Sequence, residues 1–153
     1  MTTVLLIIHG LIAVALLGAI SHQMASVLVP GRAGTSIVAR FRAVSGGHYT
    51  DSIIVLFVIN LLLGAVIYPS YRLNVRTYLQ DYHLFAAEGS FEIKEHLAAI
   101  GLALLPFYRY VWKNPVGTQL RARLATTGML ALVIWTSFLV GHVLNNIRGL
   151  FGT

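Results

Sequence analysis

The chain has 153 residues, of which 57% are hydrophobic and only 10% charged, and its net charge is +6. A soluble domain carries about a quarter charged residues, so the composition points to one lipid-solvated domain and excludes a water-facing one. The absence of cysteine excludes disulfides, thiolate metal sites, iron–sulfur clusters and cysteine-linked haem. The positive charge comes without a basic-aromatic array or zinc-finger spacing, so it reads as basic loops flanking a membrane and not as a nucleic acid surface.

A bilayer crossing needs about 20 apolar residues, and four stretches qualify. The first runs from Val4 to Val29, stopped by Pro30-Gly31. Its start, MTTVLLIIHG, lacks the positive region of a cleaved signal peptide and reads as a retained first span. Ser36 to Val44 (SIVARFRAV) reads as a short basic amphipathic segment at the membrane interface. The second span is Ser52 to Tyr68, with Asp51 as its N-cap and Pro69 closing it. Beyond it, Val75, Tyr78, Leu79 and Tyr82 recur at helical spacing, as in an interfacial helix lying across the bundle mouth. The third span is Phe91 to Trp112, capped by Ser90 and kinked by Pro106. The fourth is Leu124 to Ile147. These elements predict an all-α integral membrane protein, a four-helix up-down-up-down bundle with both termini on the same side.

That shared side, side A, also holds the loop 69–90; side B holds the loops 30–51 and 113–123. Side B carries Arg32, Arg40, Arg42, Arg109, Lys113, Arg121 and Arg123. Side A carries Arg72, Arg76, Lys94 and Arg148, and every acid except Asp51. The positive-inside rule makes side B cytoplasmic, so the expectation is a multi-pass protein of the cytoplasmic (inner) membrane with its termini outside.

Three histidines stand out within this frame. His9, His96 and His142 each lie about one and a half turns inside the side A end of a different span. Imidazoles in hydrocarbon are costly unless they bind something. Polar neighbours accompany them: Glu92 and Glu95 beside His96, Asn145 and Asn146 beside His142, and Asn60, Gly64, Tyr68 and Tyr71 along the second span. All these stripes are expected to face the bundle interior. A b-type haem needs one or two imidazoles on facing helices and small residues to admit the porphyrin. Gly10, Ala98, Gly101 and Gly141 adjoin the histidines, and Arg72, Arg76 and Arg148 are candidates for the propionates. Two of the three histidines are expected as axial ligands, with the third a hydrogen-bond partner or quinone contact. His22, on a face of small residues, and His83, in the side A loop, are subsidiary ligand candidates. His9 and His22 fall about 140° apart on an ideal helix, which favours one haem over two.

Copper or zinc is the alternative occupant of the same imidazoles. A hydrogen-bonding role within the bundle is the ordinary alternative for any one of them. No nucleophile–base pair, phosphate loop or paired-acid motif is present. The expected partners are membrane lipid, a quinone, and a second copy or the other subunits of a larger membrane complex, in which the chain could be a non-catalytic accessory.

The early histidine in LLIIHGLIAV, the segment LLLGAVIYPSYR and the charged entry FEIKEHLAAIGLALLP resemble small four-helix membrane proteins of the CopD-type and HemJ-type group. The resemblance extends over the four-span plan of most of the chain. It implies a haem-binding or copper-handling bundle, with His9 as a first-span haem histidine and Lys94 and His96 in a region that carries a basic functional residue. GHVLNN, with His142, has no counterpart in that pattern, nor is the aromatic-rich first span of the HemJ type present.

Overall fold

The computed structural model describes residues 2–28, 35–42, 44–114 and 119–151, without the side chains of 2, 38, 41–42 and 148–151. Pro30-Gly31, Arg32 and the side chains of Arg42 and Arg148 therefore lie outside the described residues. Everything described is helix or short connection, with no strand. The long helices are α1 (Thr2–Leu28), α3 (Tyr49–Ser70), α5 (Phe85–Lys113) and α6 (Leu120–Phe151), with short helices α2 (Ile37–Arg42) and α4 (Thr77–Asp81) between them. They alternate in direction. Gln23, late in α1, bonds Thr50, early in α3, and Tyr108, late in α5, bonds Gln23 in turn. Trp112, at the close of α5, bonds Thr127, early in α6.

Among the described residues, three helical stretches are long and apolar enough to cross a membrane: Thr3–Leu28, Gly46–Asp81 and Leu120–Ile147. Helix α5 has the length, but the uncharged run between Glu95 and Arg109 falls well short of the about 20 residues a crossing needs. Its inclusion as a fourth span goes beyond what apolarity alone carries. The outward faces of all four long helices are apolar: Ile8, Leu62, Phe107 and Leu132 are among the exposed large side chains. Exposed apolar surface on this scale marks a face made for a non-aqueous neighbour.

Several boundaries differ from the sequence expectation. Pro69 does not close the second span. The helix continues through it into a wider π turn, Tyr71–Arg76, and on into α4. A proline removes one backbone donor, and a local change of helical pitch lets the chain continue past it. Asp51 caps nothing. It accepts from Lys113 Nζ at 2.6 Å and Arg109 Nε at 3.3 Å, tying the start of α3 to the end of α5. Ser90 lies inside α5, which begins at Phe85, and its hydroxyl donates to the Ala86 carbonyl at 2.7 Å.

The buried core occupies one half of the bundle. Leu16, Ile20, Ile53, Phe57, Leu105, Tyr108, Val111, Leu130, Val133 and Ile134 all belong to the end where α1 and α5 finish and α3 and α6 begin. This is end B; the opposite end is end A. Gly101 lets the helices close there, since a Cβ on it would lie 2.8 Å from Phe57 and 3.1 Å from Val133. Most polar groups in this half are paired, Gln119 Oε1 at the start of α6 being an exception. Gln23 Nε2 donates to the Gly46 carbonyl at 3.0 Å and to Thr50 at 3.2 Å, and its carbonyl accepts from Tyr108. Trp112 Nε1 donates to Thr127 at 3.0 Å. Arg123, counted by sequence as a loop charge, is buried. It donates to the carbonyls of Val111 at 2.9 Å and Asn114 at 2.6 Å, so it caps the C-terminus of α5 while stacking on Trp112. In lipid, where apolar burial drives little, such paired polar contacts and close packing hold helices together.

Candidate functional site

Toward end A from the Phe57–Gly101–Val133 layer, the interior turns polar and its polar atoms lose their partners. His9 lies two turns before Leu16 on the same inward stripe of α1 and is half-buried. Its ring meets α3 at Gly64, where an added Cβ would sit 3.6 Å from Cε1, and at the backbone of Asn60. Ser137 lies two turns beyond Leu130 and two turns before Leu144 on α6, both of which are buried. His9 Nδ1, Asn60 Oδ1 and Ser137 Oγ are all shut off from solvent and lack a hydrogen-bond partner. Nearly all buried polar atoms in folded proteins are satisfied, and the exceptions mark bound water, ions or ligands. Three helices each turn such an atom into one end of the bundle.

Helix α5 adds a cation. Lys94 lies two turns before buried Gly101 and is itself half-buried. Its ammonium stands 4.2 Å from the centroid of the Phe91 ring and acts electrostatically on His9. Above it an aromatic stack closes the rim: Tyr71 and Phe91 lie 3.7 Å apart and nearly parallel, with Tyr68 against both. The π turn carries Tyr71 and Arg76. Arg76 bonds Glu88 at 2.7 Å and Glu92 at 3.3 Å, and Glu88 also accepts from Gln80 at 2.7 Å. This latch fixes the end of the long α3–α4 rod to α5.

The expected histidine constellation is only partly assembled. His9 and the Asn60–Gly64–Tyr68 stripe face inward as expected. His96 and His142 do not: both are exposed on outward sides of their helices. The physical reason is helical phase. Counted from Gly101 on α5 and Leu130 on α6, the two residues fall about 140° and about 120° away from the buried side. His96 Nδ1 donates to the Glu92 carbonyl at 2.8 Å, which leaves Nε2 as its open nitrogen. His142 stacks on Phe138, and its Nε2 accepts from Asn146 at 3.2 Å. Asn145 is exposed.

The remaining candidates are dispersed. His83 makes the α4–α5 turn in a left-handed conformation, φ 56°, and is exposed. His22 lies toward end B, against the Tyr49 ring at 4.7 Å. Arg72 is exposed on the π turn, and Arg76 is occupied by its two glutamates. Among the described residues no three His, Asp or Glu side chains come together as a metal ion would require. Sequence reasoning passed over Ser137, whose spacing from Leu130 and Leu144 was the available signal. It placed Lys94 in the functional region by resemblance alone.

The chain matches no family model, no curated protein and no solved structure.

Proposed function

We propose that this chain is a four-span protein of the inner membrane, termini outside, whose function resides in the polar interior at end A, and that the group held there is a b-type haem serving electron transfer between the quinone pool and an outer-face partner. The observation that carries this reading is the set of three partnerless buried atoms on three different helices of one end, His9 Nδ1, Asn60 Oδ1 and Ser137 Oγ; Gln119 Oε1 at end B stands apart at a helix start. Polar groups kept inside an apolar bundle without partners are costly and mark ligand paths. The donor set fits a haem with one axial imidazole from this chain, His9. It does not supply the two-imidazole pair that the sequence suggested, because His96 and His142 face outward. Bound there, a haem would supply one-electron chemistry. The residues would supply the axial nitrogen (His9), side-chain hydrogen bonds (Asn60, Ser137) and a dry aromatic rim (Tyr68, Tyr71, Phe91). The excess of basic residues in the loops at end B supports a cytoplasmic end B.

The test is an absorption spectrum of protein purified from haem-replete cells, oxidised and reduced. A Soret band and a reduced α-band that vanish in His9→Ala and persist in His142→Ala are expected. A colourless preparation, or bands unaffected by His9→Ala, would overturn the reading.

The outward polar pairs favour a second reading, compatible with the first. His96 with Glu92 on α5, and His142 with Asn146 on α6, are exposed within otherwise apolar faces. Such groups are best placed against another membrane polypeptide, so the chain works as a subunit of an assembly. Co-migration of the tagged chain at a mass well above 16.7 kDa plus detergent supports this, and a monodisperse monomer contradicts it.

A further inference from the structure

The cations of end A differ in what they have to hold. Arg76 is committed to Glu88 and Glu92, and Arg72 stands exposed on the π turn. Among the described cations of end A, Lys94 is the one on an inward stripe, two turns above buried Gly101, and none of the ion pairs among the described residues includes it. Its contact is the face of Phe91 at 4.2 Å, and its charge reaches His9. An ammonium half-withdrawn from solvent gains most from a full negative charge. The surrounding wall offers ring faces, an imidazole, a hydroxyl and an amide; the one carboxylate that acts on the ammonium, that of the neighbouring Glu95, is exposed and forms no ion pair with it.

We infer that Lys94 holds the carboxylate of an amphiphilic ligand whose body lies in the polar interior between His9, Asn60 and Ser137. The ligand class is an apolar or aromatic body with one acidic arm. Two sources carry that chemistry, the propionate of a haem and the carboxylate of a fatty acid. The first rests on the function proposed above; the second does not. A single ammonium–carboxylate contact in a dry site raises affinity about tenfold over a ligand whose carboxylate is masked.

The experiment compares acid and ester. Purified full-length protein is titrated with haem b and haem dimethyl ester, followed by absorbance, and with oleate and methyl oleate, followed by native mass spectrometry. Wild type should prefer the acid of at least one pair by about tenfold. Lys94→Met should abolish that preference and leave ester binding in place, Lys94→Arg should retain it, and circular dichroism should show all three helical. His9→Ala should remove haem absorption and spare any preference for oleate over its ester. If neither haem form binds and oleate preference follows Lys94, the haem reading fails and this inference stands. Equal binding of acid and ester by wild type, an acid preference that survives Lys94→Met, or no binding of any probe would overturn it.

Discussion

The two ends of the bundle solve opposite problems with the same kind of residue. At end B, Gln23, Thr50, Tyr108, Trp112, Arg123 and Thr127 are polar, buried and paired with one another or with helix-end carbonyls. At end A, one atom each of His9 (Nδ1), Asn60 (Oδ1) and Ser137 (Oγ) is buried and unpaired. A polar group inside an apolar bundle strengthens it only when its partner is present. One end therefore reads as the clamp that fixes helix order, and the other as the place kept for something else.

Breaking the clamp should have the largest effect. Gln23→Leu removes three bonds at once: it leaves the Gly46 carbonyl without its side-chain donor and the Tyr108 and Thr50 hydroxyls only each other, at a cost of about 1–3 kcal/mol for a group left without a partner. A lowered unfolding midpoint in detergent checks this. Gly101→Val comes next. Its first added carbon already lies 2.8 Å from Phe57, and overpacking of this kind costs about 1–3 kcal/mol. Gly64→Ala sharpens the contrast, because the new methyl would meet only the His9 ring at 3.6 Å, an ordinary contact. Its midpoint should match wild type. Arg76→Gln should act locally: amide exchange across the Tyr71–Arg76 turn should rise while the global midpoint stays put, since Arg76 ties only that turn to α5 and Gln80 keeps its own bond to Glu88.

Much of the fold was legible in the sequence because apolar length and prolines report helices directly, and the order and antiparallel course follow from the connections. The inward placement of His9 toward end A, and the inward stripe Asn60–Gly64–Tyr68, were legible for the same reason. The rotation of α5 and α6 was not. In a helix that meets lipid on one side and protein on the other, both sides are apolar, so the pattern carries little phase. Depth put His142 in the site; its angle from Leu130 and Leu144 took it out and brought Ser137 in. Pro69 misled because a proline in a long apolar helix is absorbed by a π turn instead of ending it. Arg123 misled because a charge near a span end looks like a loop residue until its carbonyl partners on α5 are known.

The asymmetry between the ends is tested most directly by the unfolding midpoint of ligand-free protein carrying His9→Leu, Asn60→Leu and Ser137→Ala together, beside Gln23→Leu. If the polar groups at end A are retained for a ligand, the triple variant should unfold at or above the wild-type midpoint while Gln23→Leu unfolds well below it. A triple variant as destabilised as Gln23→Leu would mean that end A is held together by those same side chains, and the division of labour between the two ends would be wrong.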